Sequence, residues 1–214
     1  MTSGPERTLI LACGALAHEI VALIRRHGWD SFSVQCLPAD YHNTPDKIPG
    51  AVRDRIRELG PDYDHVFVAY ADCGTGGQLD RVLEEEGVER LPGAHCYEFF
   101  AGSRAFHELA EEEVGTFYLT DFLARHFERL ILHGMGLDRH PQLLSMMFGH
   151  YRRLVYLAQT ENEDLQQRAR AAAERLGLEY EYRFTGYGEL EDTLTGLHER
   201  GPADEKVVQW RQRS

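Results

Sequence analysis

The chain has no apolar run near the ~20 residues that a membrane-spanning helix needs. Its first residues, Met1-Thr2-Ser3-Gly4-Pro5-Glu6-Arg7, lack the basic and apolar parts of a secretory signal. Basic residues are in deficit: Lys and Arg number 23 against 35 Asp and Glu, a formal net charge of −12. That balance argues against nucleic acid and anionic membrane as partners. The 4 cysteines include no CxxC pair, and no two histidines stand four apart, so the compact zinc signatures are missing. There is no repeat at a fixed period and no low-complexity tract. These absences predict a soluble cytoplasmic protein. Thiols stay reduced there, and cysteines serve metal or catalysis more often than disulfides.

What the sequence does have is alternation of strand and helix. Thr8 to Ala12, Phe32 to Leu37, Val66 to Ala71, Arg90 to His95, Thr116 to Thr120, Arg153 to Gln159 and Glu179 to Phe184 read as strands. Between them, Leu16, Ile20, Leu23 and Ile24 keep helical spacing up to Gly28. Ile48, Val52, Ile56 and Leu59 do the same, with Thr44 as cap and Pro45 in the first turn. Further helices are expected over 78–86, through Phe100, Phe106 and Leu109, from Asp121 to Ile131, from Pro141 to Phe148, and over 164–176. Alternation at this spacing implies βαβ units. The fold class is therefore α/β: a mostly parallel open sheet with helices on both faces, a Rossmann-like, three-layer arrangement. Residues 1–200 read as a single domain with two pseudo-halves, 8–114 and 115–190, and 201–214 as a flexible tail.

Right-handed crossovers place all strand ends on one side. Cys13, Cys73 and Cys96 each stand where an apolar run stops and a turn begins, so they share the carboxyl edge with Thr120 and Thr160. Open α/β sheets bind ligands at that edge. Three thiols there suit a tetrahedral zinc site with His42, in the loop after the second strand, as fourth ligand. His95, Glu98 and Cys36 are further candidates for that place. Three cysteines can equally hold a four-iron four-sulfur cluster with one iron open. The plain alternative is that the cysteines are small buried hydrophobes.

Other features carry less. Gly74-Thr75-Gly76-Gly77, following Asp72-Cys73, is a glycine-rich turn whose N–H groups can receive a carboxylate or phosphate. It matches neither the dinucleotide nor the P-loop pattern. Glu98, flanked by aromatics, can act as acid or base, or simply favour a helix start. Asp121 is a helix cap first and a site residue second. Met146-Met147-Phe148 and the glycine breaks around Met135 point to a homodimer through residues 121–150.

Ala12-Cys13-Gly14-Ala15-Leu16, Tyr41-His42-Asn43-Thr44-Pro45, Asp72-Cys73-Gly74-Thr75-Gly76-Gly77, His95-Cys96-Tyr97-Glu98-Phe99-Phe100-Ala101-Gly102 and Tyr118-Leu119-Thr120-Asp121-Phe122-Leu123 go further in combination. Through them the chain resembles, over about residues 8 to 190, the bacterial and archaeal domain-of-unknown-function family number 1638. The resemblance implies no particular reaction. It does imply a link to one-carbon metabolism, because members are often encoded beside corrinoid proteins and methylamine-type methyltransferases. Cys13, Cys73, Cys96 and His42 stand in segments that look typical of the family, and Cys36 does not.

The expectation is a cytoplasmic metalloprotein with Cys13, Cys73, Cys96 and His42 around zinc. It would act as an enzyme on a small-molecule substrate, with transferase-type chemistry such as methyl transfer. Glu98 and Asp121 would be catalytic, and Gly74, Thr75, Gly76 and Gly77 would bind the ligand. A corrinoid protein or methyltransferase is the expected partner. The alternatives are an iron–sulfur protein and a non-catalytic accessory protein that holds a metal or corrinoid for that partner.

Overall fold

Leu9, Ile10, Leu11 and Ala12 are at most 1% exposed in β1 (Thr8–Cys13), which explains why that strand shows no polar alternation. In the computed structural model, which describes residues 6–200, β1 is an inner strand of the first of two parallel sheets. The chain divides into two compact units, Met1–Cys96 with Leu190–Ser214, and Tyr97–Glu189. The expected tail, 201–214, lies outside the described residues.

In the first unit, α1 (Ala17–His27) follows β1 and is stopped by Gly28, which takes the left-handed conformation and donates its N–H to Ile24. Then come β2 (Phe32–Leu37), α2 (Ile48–Leu59), β3 (His65–Ala69), α3 (Gln78–Glu86) and β4 (Glu89–Arg90). Thr44 makes no side-chain cap. A short 3-10 turn, Pro45–Lys47, precedes α2, whose first turn holds Pro49. The four strands lie in the order β2-β1-β3-β4, all parallel. The connection from β1 moves one way to β2, and those reaching β3 and β4 move the other way. Right-handed crossovers therefore put α1 on one face and α2 and α3 together on the other. The packing of α2 on α3 agrees, tied by Arg53–Glu85 and by Arg57–Glu86 at 2.7 Å.

The fourth strand is shorter than expected. Leu91 still donates its N–H to Val68, but Pro92 has no donor and Gly93 turns at φ 92°. Cys96 therefore opens a helix, α4 (Cys96–Ala101), and does not end a strand. Gly102 (φ 80°) then separates α4 from α5 (Ser103–Glu112), where a single helix was expected.

The second unit carries β5 (Thr116–Leu119), α6 (Asp121–Phe127), α7 (Leu143–Phe148), β6 (Arg153–Ala158), α8 (Glu163–Leu176) and β7 (Glu179–Phe184). Its sheet is parallel, in the order β5-β6-β7. α6 and α8 cover one face, with Leu154, Tyr156 and Ala158 beneath them. Val155 and Leu157 meet Leu109, Tyr97, Ala101 and Tyr118 on the other. Asn162 caps α8 by accepting from the Leu165 N–H at 3.1 Å. Two glycine-flanked changes of pitch follow α6: a π-helical stretch, Glu128–His133, and then a turn before α7, on which Met146 is 68% exposed. The strands thus form two sheets, and Thr120 and Thr160 belong to the second, not to the edge that carries the cysteines. The last helix among the described residues is α9 (Glu189–Glu199), whose His198, itself in the first unit, packs against Trp29 and Phe32.

Candidate functional site

The order β2-β1-β3-β4 has its topological switch point between β1 and β3. Their connections leave in opposite directions there, and it is at such a point, on the carboxyl edge, that open α/β sheets bind ligands. Cys13 is the last residue of β1, and Cys73 stands four residues past the end of β3. The two thiols therefore flank the switch point, and the nearness of Cys73 helps to raise the Cys13 pKa.

His42 is brought to Cys13 by close backbone packing. A Cβ on Gly14 would stand 3.0 Å from the Leu37 carbonyl oxygen and 3.4 Å from the Ala39 nitrogen, so glycine is needed where the β1 turn meets the β2 turn. The 3-10 turn Ala39–Asn43 begins at that point. It sets His42 Nδ1 3.7 Å from Cys13 Sγ and 3.2 Å from the Ala39 carbonyl oxygen. Protonated at Nδ1, the ring donates to the carbonyl and leaves Nε2 with the lone pair. Protonated at Nε2, it turns the Nδ1 lone pair toward the sulfur. The second form has the spacing of two ligands on one tetrahedral zinc, where bonds of ~2.3 Å and ~2.0 Å imply about 3.6 Å between S and N. Burial holds the imidazole pKa below its ordinary value. The Ala39 hydrogen bond opposes this and the nearby His95 adds to it, and the net lowering favours the neutral form that can ligate.

Cys73 has φ 51°, the one positive φ outside glycine among the described residues. A side chain held there costs about 1–3 kcal/mol, and such strain concentrates at functional turns. Three bonds hold the turn. Asp72 accepts from the Thr75 hydroxyl at 2.6 Å and from the N–H groups of Gly77 at 2.9 Å and Gly76 at 3.1 Å. Burial works against this carboxylate, yet Thr75, Gly77, Gly76 and the charge of Arg90 together keep its pKa below the ordinary value. The glycine-rich turn proposed as an anion cradle is thus filled from within, with Asp72 on its donors. Pro45 packs against Gly74, 3.7 Å from where a Cβ would stand, and so joins the His42 loop to the Cys73 turn.

Cys96 reaches the same place through the loop after β4. Asp72 donates its N–H to Gly93 and Cys73 donates its own to Ala94, which lays residues 93–96 along the Cys73 turn. The backbones of Ala71 and Cys96 in turn favour the Cys73 sulfur. Ala15 donates to Cys13 Sγ at 3.4 Å. Backbone N–H groups aimed at sulfur stabilise the thiolate form, as around thiolate metal sites.

Residues 36–194, well over half of the chain, match a family model described as Protein of unknown function (DUF1638). The chain belongs to that family. The matched stretch includes His42, Cys73, Cys96, Glu98 and Asp121. Cys13 precedes it, so its place in the site rests on the fold. No curated protein matches the chain.

In this DUF1638 chain the cysteines are all free thiols, and Cys36 is exposed. Among the described residues no three His, Cys, Asp or Glu side chains stand ready to hold a metal ion together. The assembled part is the Cys13–His42 pair, with Cys73 and Cys96 on adjoining turns. Glu98 and Asp121 fall in the second unit. Glu98 Oε1 accepts from the Ser103 hydroxyl at 2.9 Å. Asp121 is not the cap of α6; Thr120 is, its hydroxyl accepting from the Leu123 N–H.

Burial pushes the Cys13 thiol up to about 12, against the pull of the Ala15 N–H, and the Cys73 thiol up to about 11, against that of Ala71. The folded chain therefore holds these protons more tightly than the unfolded chain, whose thiols ionise near 9.0. Metal-free protein should keep this stability below pH 9 and lose it as pH rises from about 9 to about 12. Melting temperatures of chelator-treated protein across that range check this, and an unchanging profile would contradict it.

Tyr70, which precedes the Cys73 turn, was not singled out by the sequence, and it lies among these sulfurs. The available signal was its position, an aromatic hydroxyl at the end of the apolar run Val66–Ala71.

No helix among the described residues is long and apolar enough to cross a membrane.

Proposed function

We propose that this chain binds a thiophilic metal ion, zinc in the first instance, through Cys13, Cys73, Cys96 and His42, and acts there on a small molecule. The observation that carries this reading is the pairing of Cys13 with His42 at 3.7 Å, beside the β1–β3 switch point that Cys73 flanks. Free cysteines do serve as buried hydrophobes. A buried thiol that meets an imidazole, accepts from a backbone N–H and lies opposite a strained cysteine has more chemistry around it than packing needs.

Zinc held by thiolates can bind a thiol substrate as its thiolate, which gives group transfer, methyl transfer included, a physical route. The chain's own contribution would be to release the cysteine protons, to orient His42 through Ala39, and to fix the Cys73 turn through Asp72. The link to one-carbon metabolism and a corrinoid or methyltransferase partner rests on the family resemblance alone and is the finer part of the proposal. The Cys73 and Cys96 side chains would have to turn toward the Cys13–His42 pair to complete the ligand set.

Elemental analysis of protein purified without oxygen tests the reading. About one zinc per chain is expected. Iron with matching sulfide would transfer the proposal to a four-iron four-sulfur cluster. Protein that carries metal yet turns over no methyl donor unless a partner protein is added would favour the accessory role. Protein with no metal, and no uptake from solution, would overturn the reading.

A further inference from the structure

The Tyr70 hydroxyl is fully buried and has no aligned hydrogen-bond partner, in a residue only 1% exposed. Buried polar groups are almost always paired, and an orphan hydroxyl lowers stability relative to phenylalanine of the same shape. Two other buried tyrosine hydroxyls among the described residues share this condition, Tyr118 and Tyr180. Tyr70 differs in its surroundings: the sulfurs of Cys13, Cys73 and Cys36 act on its hydroxyl, Cys13 foremost, yet it forms no hydrogen bond.

A thiol sulfur is a weak acceptor, in keeping with a phenol that the Cys13 sulfur acts on but does not bond. A thiolate is a strong one, because a charged acceptor roughly doubles the strength of the bond. The remaining sulfur-directed donors are backbone N–H groups: Ala15 toward Cys13 at 3.4 Å, and the chain around Cys73. A side-chain donor among them would complete the shell that stabilises thiolates in metal sites.

We propose that Tyr70 is a positioning residue of the thiol site, its phenol donating to a cysteine thiolate, Cys13 foremost, once a metal ion has displaced the proton from that sulfur. This rests on the metal-binding reading above. The hydroxyl is kept in the apolar interior because its partner is formed only in the loaded state.

Tyr70→Phe tests it, with Co2+ as a visible probe and Zn2+ in competition. Tyr70→Phe is expected to bind one metal per chain at saturation with about tenfold lower affinity. Its sulfur-to-cobalt absorption band should move to longer wavelength, because loss of the hydrogen bond raises the energy of the sulfur lone pairs. Metal-free Tyr70→Phe should melt at or above wild type, having lost an unpaired hydroxyl. A merely structural tyrosine would leave the cobalt band where it is. If wild type shows a sulfur-to-cobalt band and Tyr70→Phe reproduces its position and affinity, this inference fails while the metal reading stands. If wild type shows no such band, both fail. Should Tyr70→Phe not fold, the ultraviolet difference spectrum of wild type on Zn2+ addition decides: a perturbed buried tyrosine supports the proposal, and a flat tyrosine region overturns it.

Discussion

Cys13→Ser, Cys73→Ser and Cys96→Ser are each expected to strip most of the metal from the chain, while Cys36→Ser leaves it in place. Removing one thiolate deletes a bond to the ion and leaves the other sulfurs without a counter-charge in a buried setting, where uncompensated charge is costly. Cys36 is exposed on an outer strand of its sheet, and its loss removes no ligand. His42→Ala should cost less than any of the three, because water can occupy the fourth position of an open site. Its effect should still be visible, since His42 stands in direct contact with Cys13, at 3.7 Å. Metal stoichiometry and competition with a chelator, measured in parallel on folded variants, give the order. Wild-type metal content in the three serine variants would return the cysteines to a packing role.

The fold was legible because its signals are local. The buried run of β1 and the left-handed glycines after α1, α3 and α8 mark their elements in the residues themselves. The division into two sheets was not legible, because it depends on where a ladder fails. Pro92 and Gly93, visible in the sequence as breakers, shorten β4 to two residues, but they do not say that the next strand starts a separate sheet. The gathering of Cys13 and Cys73 at one edge followed from parallel topology, and His42 came with it because its loop leaves β2 on the same side. Cys96 reached the site by another route, through hydrogen bonds from Asp72 and Cys73 to Gly93 and Ala94, not as a strand end. Asp72 was hidden for a similar reason. Three donors converge on it only once the glycine turn has folded. Tyr70 could not be separated from ordinary core tyrosines without knowing which atoms surround its hydroxyl.

Asp121→Ala should be among the most destabilising single changes in the second unit, by about 3–5 kcal/mol. The side chain is 2% exposed and has both oxygens doubly engaged. Oδ1 accepts from the Tyr156 hydroxyl at 2.6 Å and from the Gln159 N–H at 3.0 Å. Oδ2 accepts from the Thr160 N–H at 3.0 Å and from its hydroxyl at 2.5 Å. The Gln159 side chain returns a bond to the Asp121 N–H at 2.8 Å, so the first residue of α6 is fastened to the end of β6 from both directions. Alanine would leave four donors without an acceptor, two of them on the backbone of the strand end, and the loss of each buried partner costs about 1–3 kcal/mol. Asp121→Asn should fall between wild type and alanine: one oxygen keeps its donors, while the new NH2 faces donors that it cannot satisfy. Such saturation gives Asp121 a structural task in place of the catalytic one considered from sequence, since neither oxygen is left to exchange a proton with a substrate. Denaturant unfolding followed by hydrogen exchange in β5 and β6 would locate the loss. A variant that unfolds within about 1 kcal/mol of wild type would show that the network contributes far less than its geometry implies.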